Sequence, residues 1–457
     1  MGATESVNQP PAPRTTAAGV QPVSEDARLE IATKPPSPAD ESDAPRWLCV
    51  LGASLFLMSS FGFSQSIGTV QSHLQLNQLQ TYSAEDLGWI TGLDTALALL
   101  LGLQIGPLVD RHGPLPLAPA AACLTVSKFF LLAECSEYWH FLLCLGVQGG
   151  LGSAASSSLA VASVGKLFSR RRGLATGAAL AGSSLGGVAF PLVLRRALPQ
   201  LGWAWSMRLL GFGVLGLMAL GTACLVPFAR LTGAPPLASS GGGAARAEKS
   251  PSPSAALNFE AFRSVPFAFI TAGLFLFEIS IIGVGVLLPT FAVRAGFPSS
   301  SGFALVAVLN ASSCLGRLLP GLAGDHVGHF DVILFTVTLT SVFTAVLFVP
   351  FGTRSVGVLY AFAGLWGFGS GSFLSITPVC VGKTCDPKDY GRYYGTCTFV
   401  VAFGALASVP AGGALLEKTG STGAASLYLA GVILGGVCFY VARSLLVRKW
   451  MLFRSNI

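Results

Sequence analysis

Twelve long apolar runs follow one another from Arg46 to the region near the C-terminus, separated by short polar stretches. An α-helix needs about 20 apolar residues to cross the hydrocarbon core of a bilayer, and each run is close to that length. The runs lie at about 47–72, 85–109, 114–134, 139–165, 173–194, 203–228, 264–292, 301–323, 330–350, 355–381, 391–416 and 422–447. We therefore expect an all-α integral membrane protein with twelve transmembrane helices in two six-helix bundles.

The composition excludes a soluble domain. Only 11% of the residues are charged, whereas a soluble domain carries about 25%, so there is too little charge to cover a water-facing surface. The net charge of +7 comes from short basic clusters between apolar runs and not from one continuous face, so we expect no nucleic-acid partner. The ten cysteines lack metal-ligand spacing and mostly lie inside apolar runs, where they are expected to pack as small hydrophobic residues.

Polar segments divide the chain into five parts. We expect a disordered cytoplasmic tail over 1–45, a six-helix bundle over 46–228, a cytoplasmic linker over 229–262, a second bundle over 263–447 and a short cytoplasmic tail over 448–457. The first tail and the linker are rich in Pro, Ser, Gly and Ala and cannot bury an apolar core. The opening residues also fit a myristoylation pattern at Gly2, which is short and frequent by chance, so that modification stays open.

A repeat supports two equivalent halves. Three pairs of residues at the ends of the second and eighth runs share one offset of 215 positions: Gly106 and Gly321, Asp110 and Asp325, Gly113 and Gly328. The fifth and eleventh runs also open alike, with Gly173 to Gly177 and Gly391 to Gly395. Two six-helix repeats joined by a flexible linker are typical of secondary transporters.

Basic residues in the short loops predict the orientation, because cytoplasmic loops carry more Lys and Arg. With the N-terminus inside, the cytoplasmic loops hold Arg111, Lys166, Arg170, Arg171, Arg172, Lys383, Lys388 and Arg392. The outside loops hold Arg195, Arg196, Arg294, Arg354 and Lys418. We therefore expect both termini in the cytoplasm, and the plasma membrane is the default location.

The loop after the second run carries Gly106-x-x-x-Asp110-Arg111-x-Gly113. This pattern resembles the signature of the major facilitator superfamily, which implies that fold and a role in gating. Glycines permit a tight turn, and the aspartate can accept hydrogen bonds from a helix N-terminus. The gating residues expected here are Gly106, Asp110, Arg111, Gly113, Asp325, Arg171 and Arg172. The family signature continues with basic residues, whereas Pro114, Leu115 and Pro116 follow here, and a plain turn is the alternative.

A second motif runs from Phe168-Ser169-Arg170-Arg171-Arg172 through Gly173-Leu174-Ala175-Thr176-Gly177, with Ala181-Gly182 and Gly186 beyond it. It resembles the signature of the monocarboxylate transporter family, especially its fungal branch. Supporting stretches are Tyr82-Ser83, Trp89-Ile90, Tyr138-Trp139, Asn310-Ala311-Ser312-Ser313 and Gly316-Arg317. The resemblance covers about 46–447. It implies a secondary transporter of organic anions.

Four charged residues fall inside the runs, where charge is costly and usually functional. Glu278, in the middle of the seventh run, is a proton-coupling candidate or an ion-pair partner. Asp94 is either a site residue or a helix-to-helix hydrogen-bond partner. Lys128 lies toward the outer end of its run, and we expect it to snorkel to the interface. Arg317 suits a carboxylate ligand, or pairs with Asp94 or Glu278.

Asn310 and Ser313 share the eighth run with Arg317 at i, i+3 and i+7 spacing and are expected on one face. The family resemblance also indicates Arg317 as the anion-binding arginine. The family's lysine in the first helix is replaced here by Gln65, and its aspartate before the arginine by Ser313. Proton-coupled uptake of a small monocarboxylate such as lactate is therefore in doubt, and Glu278 or Asp94 would carry any coupled proton.

The leading hypothesis is alternating-access transport of a small organic anion. Its expected substrate-binding residues are Arg317, Gln65, Asn310, Ser313 and Asp94. Export of a secondary metabolite, or uptake of a neutral metabolite, is the alternative, and a nutrient sensor on a transporter fold is a different class. We expect no catalytic residue, metal or cofactor, because no phosphate-binding loop or hydrolase motif occurs in the sequence. The expected partners are the substrate, protons and the lipid bilayer.

Overall fold

A computed structural model describes Gly2 and residues 43–168, 172–232, 257–352, 354–385 and 390–447. The described residues form helices and no strands. Twelve long helical spans lie among them: α1 Ala44–Leu76, α2 Ala84–His112, α3 Ala118–Leu132, α4 138–167, α5 172–201, α6 203–224, α7 Val265–Arg294, α8 Ser299–Val327, α9 His329–Phe351, α10 Val356–Gly382, α11 Tyr390–Lys418 and α12 Gly420–Val447. The predicted fold class is confirmed.

Eight helical stretches in the described part of the chain are long and apolar enough to cross a membrane. One of them, Leu174–Thr232, contains both α5 and α6, which are continuous except at Gly202, where φ is 71°. α3 is also apolar but has only 15 residues. The sequence predicted that the fifth span would end near residue 194. In the structure the helix continues to residue 201, through the polar Arg195 and Arg196, and the chain turns only at Gly202.

Capping residues fix several helix ends. Ser83 accepts a hydrogen bond from the Asp86 amide at 3.0 Å, and the Asp86 carboxylate accepts from the Ser83 amide at 3.0 Å, so a capping box begins α2. Gly113 ends α2 at φ 78° and Gly328 ends α8 at φ 111°. Both are positive angles that suit glycine, and the two positions are one of the pairs in the 215-residue repeat.

α1 is bent at Ser60, where ψ is −74° and one helical segment gives way to the next. The hydroxyls of Ser59 and Ser60 donate to the carbonyl oxygens of Leu55 and Phe56, each at 2.9 Å. A serine that bonds the carbonyl four residues back often bends a membrane helix. The bend precedes the polar residues of α1 that face the centre of the protein.

Because the spans alternate in direction, α1 begins and α12 ends on the same side. We call this the terminal side, and the other side the opposite side. On the terminal side, Arg46 at the start of α1 donates to the carbonyl of Leu167 at the end of α4 at 2.7 Å. Also near the terminal side, a buried ion pair of 2.5 Å joins Arg443 of α12 to Asp331 of α9. The division into five parts stays a prediction, and its linker falls largely outside the described residues.

The first six and last six spans meet mainly where α1 packs on α7 and α8, α2 on α11, and α5 on α8. Toward the opposite side, α2 and α11 approach backbone to backbone. A Cβ added at Gly88 would lie 2.8 Å from the Pro410 nitrogen, and one at Gly92 would lie 2.5 Å from the Leu406 carbonyl oxygen. The amide of Ala84, at the start of α2, donates to Glu417 of α11 at 2.8 Å. These contacts close the opposite side between α2 and α11.

Candidate functional site

Arg317 lies inside the protein, where α8 of the second bundle packs on α5 of the first. Its side chain is 3% exposed. Nη1 donates to the carbonyl oxygen of Leu180 at 2.7 Å and also to the hydroxyl of Ser183. Nε is buried and has no hydrogen-bond partner among the described residues. Within that part of the chain, the guanidinium therefore bridges the two bundles through neutral groups only.

Ser183 connects three helices, and the sequence analysis did not identify it. Its hydroxyl donates to the Leu180 carbonyl at 2.8 Å and accepts from Arg317 and from Gln65 Nε2, the latter at 3.1 Å. The predicted site residues Gln65 of α1 and Arg317 of α8 thus meet at one hydroxyl of α5. The only sequence signal for this role was a polar residue in the middle of an apolar, glycine-rich run.

Asn310 is buried on α8, seven residues or about two helical turns before Arg317. Nδ2 donates to the carbonyl of Val306 at 2.9 Å and to that of Gly187 on α5 at 3.4 Å. The amide oxygen Oδ1 is buried and has no partner in the described part of the chain. Asn310 therefore forms a second contact between the bundles, and it offers one unused acceptor about two turns along α8 from Arg317.

Ser313 lies at the edge of the same face of α8, toward α10. With about 100° per residue, Asn310 and Arg317 point within about 20° of each other, and Ser313 is about 60° from Asn310 and about 40° from Arg317. Ser313 is buried against α10, since a Cβ added at Gly371 would lie 2.9 Å from its hydroxyl oxygen. The structure thus brings Arg317 and Gln65 together at Ser183, while Asn310 contacts α5 separately at Gly187 and Ser313 borders α10 of its own bundle.

Glu278 lies on α7, which packs against α1, α8, α10, α11 and α12. The residue is half-buried, as are Ile281, Ile282 and Gly285 on the same face of the helix. A Cβ added at Gly285 would meet no atom within 4 Å. Because helices surround α7, this face opens into the interior and not toward lipid. The Glu278 carboxylate makes no hydrogen bond or ion pair within the described part of the chain.

Asp94 and Lys128 form a second charged region, in the first bundle. Both side chains are 1% exposed. Asp94 Oδ2 accepts from the hydroxyl of Ser64 on α1 at 2.8 Å. Lys128 Nζ lies 4.7 Å from the ring centre of Phe63 and 5.0 Å from that of Phe129. The prediction that Lys128 snorkels is wrong, because its ammonium group turns inward, where Asp94 and two aromatic faces stabilise it.

The predicted gating residues are only partly described. Gly113 makes the turn that the motif predicts, and a Cβ added at Gly106 would meet no atom within 4 Å. Arg171 lies outside the described residues, and so do the side chains of Asp110, Arg111, Asp325 and Arg172. Their gating role stays a prediction.

Comparison with known proteins identifies the family. Residues 47–353 match the model of the Major Facilitator Superfamily. The aspyridones efflux protein apdF of Emericella nidulans is 30% identical over 92% of this chain and 83% of its own length. The MFS-type transporter hasB of Aspergillus fumigatus is 32% identical, with coverage of 88% and 89%. The riboflavin transporter MCH5 of Saccharomyces cerevisiae is 29% identical, with coverage of 94% and 83%.

These relatives are fungal and are named as transporters or efflux proteins, which agrees with the resemblance predicted from residues 168–177. The family functions in transport and not in enzymatic catalysis, and its members are embedded in a membrane through many spans, as the helices here require. The chain belongs to the major facilitator superfamily of membrane transporters.

Proposed function

We propose that this protein carries a small organic anion across the membrane by alternating access, with Arg317 as the ligand of the anionic group. One observation supports this most directly. Arg317 is buried between the bundles, yet no carboxylate pairs with it among the described residues. An uncompensated buried cation is costly, and a bound carboxylate would remove that cost through charge-assisted hydrogen bonds.

Binding at Arg317 is linked to movement of the bundles. In this conformation the guanidinium donates to Leu180 and Ser183 of the other bundle. An anion that takes over these donors weakens the α5–α8 contact and so favours a conformation in which the bundles have rocked apart there. Gln65 lies beside this exchange, and Asn310 Oδ1, about two turns away on α8, is the proposed acceptor for a donor group elsewhere on the substrate and not for its carboxylate. Ser313 supports α8 from the α10 side.

Glu278 is the proposed carrier of a coupled proton. Its carboxylate faces the interior without a protein partner, on the same bundle as Arg317. An ionised Glu278 and a bound anion in one low-dielectric cavity repel each other. Protonation of Glu278 removes that repulsion, so proton and anion bind together and are carried in the same direction.

The relatives bear on the size of the substrate. One is named for efflux of aspyridones and another for transport of riboflavin. In this chain Gln65 and Ser313 occupy the positions where the resemblance implies a lysine and an aspartate, so two charges are missing at the site. We propose a carboxylate-bearing metabolite larger than lactate, and export of a secondary metabolite is the second candidate. The loop charges support cytoplasmic termini, and the plasma membrane is the proposed location by default.

The test is transport by the full chain in a host without its own carboxylate carriers. Uptake and efflux of a panel of radiolabelled carboxylates, small and large, are measured with and without a proton gradient. Arg317→Ala abolishes transport of a moved acid, and Arg317→Lys restores part of it, because a point charge replaces the planar fork. If no acid moves while the protein reaches the membrane, the organic-anion proposal is wrong.

A further inference from the structure

The first bundle holds a buried acid and a buried base that the anion site does not use. Asp94 lies ten residues into α2, about 15 Å along the helix, and Lys128 comes from α3. Both border Gly149 of α4. A Cβ added there would lie 2.6 Å from Asp94 Oδ1 and 3.3 Å from Lys128 Cδ. Position 149 of α4 therefore has no space for a side chain, because Asp94 and Lys128 both approach the backbone there.

The hydrogen bonds leave one position on Asp94 free. Oδ2 accepts from Ser64 at 2.8 Å, whereas Oδ1 is buried and has no hydrogen-bond partner among the residues that the structure describes. Lys128 rests over two phenylalanine rings and makes no direct ion pair with Asp94 among the described residues. The acid is thus stabilised by a nearby charge that does not occupy its oxygen. A proton has room to bind at Oδ1.

Few other charges act on this group. The helices around it present Ser64 and Phe63 from α1, Lys128 and Phe129 from α3, and Gly149 from α4. Across the bundle interface, the charged residues of α11 lie at its ends: Arg392, Glu417 and Lys418. Lys128 is therefore the charge that balances Asp94 inside the membrane.

A short path connects Asp94 to the anion site. Ser64, which donates to Asp94, precedes Gln65 on α1, and Gln65 donates to Ser183, the acceptor of Arg317. A proton on Oδ1 makes Oδ2 a neutral carbonyl oxygen, which accepts the Ser64 hydrogen bond more weakly than an ionised carboxylate does. A change of protonation at Asp94 therefore changes the strength of a hydrogen bond donated by α1, next to the residue that contacts the α5–α8 crossing.

We propose that Asp94 is a proton-binding site of the transport cycle, in the first bundle and separate from Glu278, with Lys128 as its fixed countercharge. A hydronium ion transfers its proton to the Asp94 carboxylate and leaves as water, which changes the charge of the pair from zero to plus one. The role in transport rests on the proposed function, but proton binding itself does not require a substrate.

The experiment is pH-difference infrared spectroscopy of the purified full chain in lipid, without substrate. On going from alkaline to acidic buffer, the carbonyl-stretch bands of newly protonated carboxyl groups appear. Asp94→Asn removes one of these bands, and Glu278→Gln leaves that band in place. Identical bands in Asp94→Asn and the parent protein would overturn the proposal, whether or not any acid is transported.

A double variant guards against misfolding, since Asp94→Asn alone leaves Lys128 without its countercharge. Asp94→Asn/Lys128→Met leaves no buried charge, and it must lose the same band. For any acid that the transport panel identifies, the ratio of uptake with and without a proton gradient falls in this variant. An unchanged ratio would show that the pair is structural and would leave the anion proposal intact.

Discussion

The two bundles hold the same charges in opposite arrangements. Most other charged residues of the described spans lie near helix ends, whereas Asp94 and Lys128 lie inside the first bundle, and Glu278 and Arg317 inside the second. In the first bundle Asp94 and Lys128 border one glycine. In the second, Glu278 and Arg317 lie on successive helices, and no ion pair joins them in the described part of the chain.

The difference between the two bundles indicates two roles for a charged residue inside a membrane. A compensated pair has little net field, so it can remain buried in every conformation and respond to a single proton. A base and an acid kept apart each need a partner from outside, and a transported anion and a proton are such partners. The separation of the charges, more than their identity, indicates which bundle holds the substrate ligand.

The largest expected effect comes from breaking the pair in the first bundle. Lys128→Met leaves Asp94 buried without its countercharge and lowers the free energy of unfolding by about 3–5 kcal/mol at alkaline pH. Thermal unfolding in detergent measures this. At acidic pH Asp94 can bind a proton and lose its charge, so the loss is smaller there.

Asp94→Asn/Lys128→Met is the control for that variant, since it removes both charges and recovers most of the stability. A Lys128→Met protein as stable as the parent at every pH would show that the two charges are not coupled.

Removing the base of the second bundle is expected to change the stability of the protein in the opposite direction. Arg317→Met removes an uncompensated cation, so the melting temperature stays the same or rises. Affinity for a transported acid falls by about 10- to 150-fold, the value of a charge-assisted contact of about 1.5–3 kcal/mol. A clear drop in melting temperature would mean that Arg317 has a carboxylate partner after all, and the contrast between the bundles would fail.

A smaller effect is expected at Gly149, where Asp94 and Lys128 pack closely against α4. Gly149→Ala forces a methyl group between Asp94 and Lys128 and destabilises the protein by about 1–3 kcal/mol, the range for overpacking. Gly213→Ala in α6 is the matched control, because nothing lies within 4 Å of a Cβ there. That substitution is neutral or stabilises by up to about 1 kcal/mol, and equal effects of the two would contradict the packing described around Asp94.

Hydropathy and glycine spacing were enough to predict the twelve spans, the repeat and the turns at Gly113 and Gly328, because transfer into lipid and positive φ angles are properties of single segments. A charge inside a run indicated Arg317, helical spacing added Asn310, and Gln65 came only from the family resemblance. These patterns could not predict that Lys128 turns inward, since this depends on Phe63 of α1 and Gly149 of α4.

Ser183 was missed for a related reason. A serine in an apolar run bonds its own helix in most surroundings, and here it does so through Leu180. Only the packing of α8 on α5 makes it also the acceptor of Arg317. The facing of helices is set by side-chain fit across the bundle, which a sequence pattern of one helix does not contain.

The smallest expected effect concerns Ser183, which lies where the two bundles meet. In the conformation described, Ser183 competes with an anion for the Arg317 donors. Ser183→Ala removes one competitor, so it tightens binding of a transported acid by about 0.5–1.5 kcal/mol, or roughly two- to twelvefold. Ser184→Ala is the control, because the neighbouring hydroxyl is buried without a partner and does not contact Arg317. Equilibrium binding of a radiolabelled acid to the purified protein measures both.

Weaker binding in Ser183→Ala alone would show that the hydroxyl is itself a substrate ligand. Arg317 would then bind the anion while still attached to α5 through Leu180.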